Sequence, residues 1–200
     1  MKEKTYRFVH ILYVLLITNI LSILYLAVGL FALTIVSVVF TNIEISTMLL
    51  NDEIDGYSGI LKIFNEGMKK HFKENKKPSI LTGIYTLTIV IAIFMLRRIQ
   101  MPIASVLNYF FVYLYIVIVI YWAYYSLYVV IKEKNIKYID ALAIMFMKPK
   151  KLFTTTALFA LFMAMGIFRK EFLVILAIAI ISAMFVKINK STIETLEIKR

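Results

Sequence analysis

Residues 8–50 read FVHILYVLLITNILSILYLAVGLFALTIVSVVFTNIEISTMLL, and this run decides the fold. Its only acidic, basic or histidine side chains are His10 and Glu44. As one helix it would measure about 64 Å, roughly twice the hydrocarbon thickness of a bilayer, which is about 30 Å. Two spans of about 21 residues fit that thickness. Gly29 is the residue at which the backbone reverses most cheaply. The run therefore predicts two membrane-spanning helices, at 8–28 and 30–50.

The whole chain has the same character. Of its 200 residues, 62% are hydrophobic and 18% are charged, and the mean hydropathy is +0.84. A soluble domain of this size covers more of its surface with charge, so the composition excludes that class. The formal net charge of +11 would indicate a nucleic-acid partner in a soluble protein. Here the lysines and arginines lie between apolar runs, which is how membrane topology is encoded, and we expect no nucleic acid.

Four more apolar runs, at 79–96, 108–131, 152–168 and 172–186, complete the prediction of an all-α fold. The chain is interpreted as one polytopic helical bundle over residues 1–200, with about six transmembrane helices. With both termini in the cytoplasm, nineteen lysines and arginines lie inside and four outside. A five-span alternative, in which 8–40 is one span, gives sixteen against seven. The bias predicts six spans in a cell membrane, with both termini in the cytoplasm.

Two segments between the spans are basic and amphipathic. In residues 57–72 an apolar stripe at helical spacing consists of Leu61, Phe64, Met68 and Phe72. The basic residues predicted to face lipid beside it are Lys62, Lys69, Lys70 and Lys73. In residues 138–147 the stripe consists of Ile139, Leu142, Met145 and Phe146. Such helices can lie in the headgroup plane on anionic lipids. Alternatively, both stripes pack against the bundle.

The candidate polar residues within the membrane are Asn19, Glu44 and Asn108. Asn19 lies near the middle of the first span, where its amide either bonds a neighbouring helix or contacts a ligand. Glu44 lies toward the cytoplasmic end of the second span. There it either reaches the interface or acts as a functional acid. Asn108 begins the fourth span and completes the set that a polar pathway would need.

The fourth span is rich in aromatic residues. Tyr121, Tyr125 and Tyr128 share one helix face and could line a sugar-binding or aromatic groove. Tyrosine and tryptophan also gather at membrane interfaces as anchors. An anchoring belt is the preferred interpretation.

Residues for catalysis or metal binding are scarce. The chain has no cysteine and only two histidines, His10 and His71, which are far apart in sequence. It contains no glycine-rich phosphate loop, HExxH, GxSxG or paired-acid motif. We therefore predict no catalytic residue, no cofactor and no metal site, and favour a protein that is not an enzyme.

Several motifs resemble the YesL-like family of bacterial membrane proteins, also called domain of unknown function 624. TNIL at 18–21, followed by Gly29, is similar to the family's Asn-bearing first helix and Gly-containing turn. FNEGMKKHFKEN at 64–75 and DALAIMFMKP at 140–149 resemble its cytoplasmic Phe- and Lys-rich segment and its later Ala-Leu stretch. The family often has Pro after the Gly, whereas LFA follows here at 30–32. The resemblance implies no settled activity, only an association with carbohydrate uptake and two-component systems in Gram-positive bacteria.

Three functions follow as hypotheses. The first is a non-enzymatic accessory or regulatory component, linked to carbohydrate uptake, whose partners are anionic lipid headgroups and another membrane protein such as a transporter or sensor subunit. The second is a small transporter or channel that uses Asn19, Glu44 and Asn108. The third is a membrane enzyme acting on lipid. A polar cavity would favour transport, and an apolar interior would favour the accessory role.

Overall fold

The structure, a computed structural model, describes residues 2–29, 34–54, 59–96, 98–99, 101–168 and 178–196. The protein is all-α, as predicted. Within the described ranges there are eight helices: α1 (Lys2–Val28), α2 (Ile35–Leu50), α3 (Ile60–Glu74), α4 (Lys76–Leu96), α5 (Pro102–Lys132), α6 (Tyr138–Met147), α7 (Pro149–Phe168) and α8 (Ile178–Glu194). Of these, α4, α5 and the Lys4–Val28 part of α1 are long and apolar enough to cross a bilayer.

The bounds of the observed helices differ from the bounds of the predicted spans. The spans at 8–28, 79–96, 108–131 and 152–168 lie inside longer helices, and α5 already begins at Pro102, a residue suited to a first helical turn. Helix α2 has 16 residues, about 24 Å, so it is shorter than the hydrocarbon core. Residues 30–33 and 172–177 of the second and sixth predicted spans lie outside the described part. The number of membrane crossings stays a prediction.

Helix α8 continues beyond the predicted end of the sixth span at residue 186. In its last turns Asn189, Thr192 and Ile193 are buried, while Lys187 is exposed. The helix therefore becomes amphipathic at this point instead of ending. Hydropathy marks where the apolar run ends, because it responds to the lysines and not to the packed face, and the bounds of the span stay a prediction.

Helices α1 and α2 form an antiparallel hairpin, as the 8–50 run predicts. Contacts join the two helices at matching levels along their length. The Asn42 amide donates to Ser22 Oγ at 2.8 Å. Near the open end of the hairpin, Arg7 Nη2 lies 2.8 Å from both carboxylate oxygens of Asp52. The first forty-odd apolar residues thus fold back on themselves.

The reversal of the hairpin depends on Gly29. A Cβ at this position would lie 2.2 Å from Cγ2 of Thr34, a separation that side chains do not tolerate. Thr34 is held in place because its hydroxyl donates to the Tyr25 carbonyl at 3.0 Å. Close packing against Thr34 therefore favours glycine at position 29. The chain reverses between α1 and α2, and residues 30–33 of the predicted turn region lie outside the described part.

Helix α2 is the central element and contacts α1, α3, α4, α5 and α8. Twelve of its 16 residues are buried. One apolar cluster joins α2 to α5 and α8 through Ile43, Leu127 and Phe185, and a second joins α1, α2 and α3 through Val14 and Phe64. A short helix enclosed by its neighbours explains why 16 residues are stable at this position: packing, and not contact with lipid, surrounds it.

The outer helices, by contrast, present apolar side chains outward. Exposed examples on α1, α4 and α5 include Leu24, Val28, Ile84, Leu87, Phe94, Val106 and Phe110. Isolated exposed leucines are normal in soluble proteins, but continuous apolar surfaces mark contact with a partner or a membrane. Together with the three long apolar helices, this surface makes a membrane location plausible.

Candidate functional site at the lysine-rich end

The fold gathers the ends of several helices at one end of the bundle, here named the lysine-rich end. Hydrogen bonds tie these ends together: Arg7 of α1 to Asp52 after α2, Lys190 of α8 to Asn51, Lys132 Nζ of α5 to the Glu194 carbonyl at 2.8 Å, and Lys151 Nζ of α7 to Ser191 Oγ at 3.1 Å. Burial lowers the pKa of the Lys151 ammonium, and the charge of Lys148 lowers it further. Lysines far apart in sequence therefore share one surface.

The opposite end of the bundle differs in charge. In the described part of the chain, Arg98 is the one lysine or arginine there, and its guanidinium lies 4.9 Å from the ring centre of Phe94. Among the described residues, lysines and arginines are therefore concentrated at the lysine-rich end. Which side of a membrane each end faces stays a prediction.

A charged cluster joins α2 to α3 at the lysine-rich end. The Nε2–H of His71 donates to Oε2 of Glu44 at 2.8 Å, and Lys70 Nζ lies 3.2 Å from Oε1 of the same carboxylate. The His71 side chain is only 2% exposed and that of Glu44 is 26% exposed. The Phe40 ring covers the imidazole, with ring centres 4.9 Å apart. Glu44 is therefore paired with α3 and is not simply an acid extended toward solvent.

The far side of the imidazole is less well satisfied. His71 Nδ1 is buried and lies 3.8 Å from Oε2 of Glu74, too far for a direct hydrogen bond. The hydroxyl of Thr41, one turn before Glu44 on α2, is also buried without a hydrogen-bond partner in the structure. In the structure, the His71 ring therefore has a short hydrogen bond at Nε2 and no direct hydrogen bond at Nδ1.

Gly67 lets α3 approach α2 closely enough to form this cluster. A Cβ at Gly67 would lie 3.1 Å from Thr41 Cγ2 and 3.4 Å from Glu44 Oε2. A Cβ alone would require these neighbours to shift by a few tenths of an ångström, and we expect a bulkier side chain to lengthen the contact between Glu44 and His71. The pairing therefore depends on a small residue one turn before the histidine.

The buried stripe of α3 differs from the predicted one. Phe64 and Met68 are buried, as expected, but Leu61 is 56% exposed and Phe72 is 37% exposed. The buried face is completed instead by Ile60, Gly67 and His71. His71 faces inward and hydrogen-bonds Glu44, and Phe72, the next residue on the helix, therefore faces outward. Of the two interpretations left open, packing against the bundle holds for Phe64 and Met68.

The predicted lipid-facing lysines divide into two groups. Lys62, Lys69 and Lys73 are exposed on the outward side of α3, beside Leu61 and Phe72. Lys62 lies 3.9 Å from Glu66, one turn along the helix. Lys70, by contrast, reaches back to Glu44. Three of the four candidates are therefore available to the surroundings, and the fourth is part of the cluster.

Helix α6 repeats this arrangement with a larger apolar surface. Of its predicted stripe only Met145 is buried, together with Ala141 and Ile144, which the stripe did not include. The remaining members, Ile139, Leu142 and Phe146, form one exposed face. Exposed lysines flank the helix at positions 134, 137, 148 and 150. An apolar face bordered by lysines is typical of a helix lying at a membrane surface.

The other two polar candidates lie elsewhere. Asn19 is fully buried, and its Oδ1 accepts from the backbone N–H groups of Ile178 at 2.9 Å and Ala179 at 3.3 Å. It therefore caps the first described turn of α8, which is a structural role. Asn108 is partly exposed on α5. Asn19 bonds α8 and Glu44 bonds α3, and a polar pathway through Asn19, Glu44 and Asn108 stays a prediction.

Three of the seven tyrosines of α5 pack inside the protein. Tyr124, Tyr125 and Tyr128 are buried, whereas Tyr109 and Tyr113, toward the opposite end, are exposed. The Tyr124 hydroxyl donates to Asn189 Oδ1 at 2.7 Å. The three buried tyrosines serve as core residues, whereas Tyr121 of the predicted face is only partly buried, and the anchoring belt stays a prediction.

Two buried polar contacts have no signal in the sequence. The Asn189 amide, which holds Tyr124, also donates to Thr155 Oγ1 at 3.1 Å and so connects α5, α7 and α8. The Trp122 indole N–H donates to Thr82 Oγ1 at 2.9 Å and connects α5 to α4. Each joins residues at least 34 positions apart, which no local pattern indicates.

The described residues contain no group of three or more His, Cys, Asp or Glu side chains arranged to hold a metal ion. Comparisons with protein-family models, with curated proteins and with solved structures find no match. The resemblance to the YesL-like family therefore stays a prediction.

Proposed function

We propose that this protein is an accessory or regulatory component of a cell membrane whose lysine-rich end lies in the cytoplasm and binds anionic lipid headgroups. The observation that carries the proposal is the convergence of the lysine-bearing helix ends on one surface, where α3 and α6 also present exposed apolar residues. Near an anionic bilayer, each such lysine contributes about 1 kcal/mol of attraction.

The interior of the bundle supports a role without transport. The side-chain amides of Asn19 and Asn189 are already used in hydrogen bonds between helices. The cavity among α1, α2, α5, α7 and α8 has apolar walls. A permeant ion or sugar needs polar groups in place of its hydration shell, and those walls offer almost none. The concentration of polar chemistry at one end favours binding at a surface.

The Glu44–His71 pair gives this surface its orientation. It fixes the rotation of α3, so that Lys62, Lys69 and Lys73 point away from the bundle. A second membrane protein, such as a transporter or sensor subunit of a carbohydrate-uptake system, is the partner class that we propose for the same end. Cross-linking in intact cells followed by recovery of such a subunit supports this part; recovery of the uncross-linked monomer alone contradicts it.

The lipid-binding part is tested by native mass spectrometry of the full-length protein in detergent, with phosphatidylglycerol and phosphatidylcholine in equal amounts. The variant carrying Lys62→Gln, Lys69→Gln and Lys73→Gln should lose at least tenfold of its preference for phosphatidylglycerol, because three lysines contribute about 3 kcal/mol in total at the surface. The matched control replaces the same three lysines by arginine and should keep the preference. Equal preference in the wild-type protein and the glutamine variant would refute the proposal.

A small transporter is the second candidate, favoured by one observation: the contact between Glu44 and the buried His71 joins two titratable groups at the lysine-rich end. Proton or solute flux into reconstituted vesicles distinguishes the two functions. Flux that is lost in Glu44→Leu supports transport. Flux no greater than in empty vesicles, or flux unaffected by Asn19→Leu and Glu44→Leu, removes these residues from a transport mechanism.

A further inference from the structure

A cavity of about 550 Å³ lies among α1, α2, α5, α7 and α8. Along α2 its wall extends from Ile35 to Ile43, which corresponds to about 12 Å of helix. The volume falls in the range of about 300–1,000 Å³ that is typical of small-molecule sites. It is separate from the Glu44–His71 cluster and from the lysine-rich surface, because neither contributes a side chain to the wall.

The wall of the cavity is almost entirely hydrocarbon. Of the 16 described side chains that line it, only Tyr115 and Ser182 carry a polar group. The Ser182 hydroxyl is already used, since it donates to the Ile178 carbonyl at 2.9 Å. A water molecule needs two to four polar partners to be held in a cavity, and apolar cavities stay dry. The occupant that this wall accepts is therefore apolar.

The position of the cavity identifies the source of such an occupant. The wall of the cavity includes Leu26 and Ala27, near the C-terminal end of α1. The neighbouring Leu24 and Val28 present apolar side chains on the outer surface of the protein. With the predicted topology, this level lies within the bilayer, where acyl chains are the abundant apolar molecules. On α2 the wall of the cavity includes Val39. Val39 is partly exposed, whereas the adjacent residues Val38 and Phe40 are buried.

We propose that this cavity is a binding site for one acyl chain of a bilayer phospholipid. The acyl chain contacts Val39, Val119 and Ile181 and fills the space that the described residues of these five helices leave between them. Filling it restores the dispersion contacts that atoms lining a void lose. The site involves the hydrocarbon part of the lipid, so it is independent of the headgroup binding proposed above.

The experiment uses the full-length protein in vesicles that contain a phosphatidylcholine with a photoreactive diazirine near the end of one acyl chain. After irradiation, the cross-linked positions are mapped by peptide mass spectrometry. We expect labels on the cavity wall at Val39, Val119 and Ile181 in addition to labels on outward residues such as Leu24 and Val106. Labels confined to outward residues would overturn the proposal. The same labelling is repeated with a free fatty acid that carries the diazirine. If the fatty acid labels the wall and displaces the phospholipid, the proposed source of the acyl chain, a bilayer phospholipid, is wrong.

Two variants narrow the cavity, Val39→Phe and Val119→Phe, and the matched control places the same side chain outside it at Val106→Phe. Wall labelling at Ile181 should fall at least fivefold in the first two and stay unchanged in the control. Unchanged labelling in both cavity variants contradicts the proposal. If either variant does not elute as a folded protein, the wild-type map decides. Replacing Lys62, Lys69 and Lys73 by Gln should leave wall labelling intact, which separates this site from the headgroup surface.

Discussion

The contact between Glu44 and His71 makes the sharpest quantitative prediction, because it joins two helices through an almost fully buried imidazole. The perturbation is a double-mutant cycle with Glu44→Leu, His71→Phe and the two changes combined. Phenylalanine keeps a ring against Phe40, whose centre lies 4.9 Å from that of the imidazole. The cycle isolates the interaction of the carboxylate with the ring from the packing of each side chain.

The magnitudes follow from burial. In Glu44→Leu the His71 Nε2–H loses its acceptor at 2.8 Å while the side chain is only 2% exposed, so we expect a loss of about 2 kcal/mol in the free energy of unfolding. In His71→Phe the carboxylate keeps Lys70 at 3.2 Å and some contact with solvent, so the expected loss is about 1 kcal/mol. Replacing both partners by apolar groups leaves no unpaired atom, and the double variant should lose only about 1 kcal/mol. The coupling energy is then about 2 kcal/mol.

The assay is reversible unfolding of the full-length protein in mixed detergent micelles, followed by the fluorescence of Trp122, the single tryptophan of the chain. The control is Glu66→Gln, which removes the exposed acid 3.9 Å from Lys62 on the same helix and should change the free energy of unfolding by less than about 0.5 kcal/mol. Additive effects of Glu44→Leu and His71→Phe, with a coupling energy near zero, would refute the reasoning that the pair holds α3 in place.

Three further predictions use the same unfolding assay. Asn19→Leu should lower the free energy of unfolding by about 1–2 kcal/mol, because it removes the acceptor that caps the first described turn of α8; a wild-type value would show that the cap is dispensable. Gly29→Ala should destabilise the protein by more than about 1 kcal/mol, because the added Cβ meets the Thr34 side chain at 2.2 Å, and Thr34→Gly in the same chain should recover part of the loss. Asn189→Leu should lower the free energy of unfolding by about 2 kcal/mol, because it leaves the buried Tyr124 hydroxyl without its acceptor at 2.7 Å. Adding Tyr124→Phe to this variant should recover part of that free energy. If Tyr124→Phe instead lowers it further by its full single-variant effect, the contact is contradicted.

Features that depend on local sequence were predictable. The 43-residue apolar run is too long for one span, and its glycine marks the reversal, so the hairpin of α1 and α2 follows from length and residue type. The all-α class follows from hydropathy in the same way. Glu44 was identifiable as a candidate because an acid is rare in such a run.

Features that depend on partners distant in sequence were not predictable. His71 lies 27 residues from Glu44, and the 57–72 pattern gave an apolar Phe72 more weight than a histidine whose partner was unknown. Asn19 bonds the start of α8, 159 positions away. Asn189 lies beyond the predicted end of the sixth span at 186, where lysines interrupt the hydropathy. In each case a long-range hydrogen bond, and not local periodicity, decides which residue faces inward.

The central claim is that the lysine-rich end of the bundle faces the cytoplasm. Because the chain has no cysteine, single cysteines report on sidedness without background. Lys73→Cys lies on the exposed side of α3, and Met101→Cys lies at the exposed opposite end before α5. In intact cells treated with a membrane-impermeant maleimide, we predict labelling of Met101→Cys and no labelling of Lys73→Cys until the membrane is permeabilised. Labelling of Lys73→Cys from outside, with Met101→Cys protected, would contradict the account.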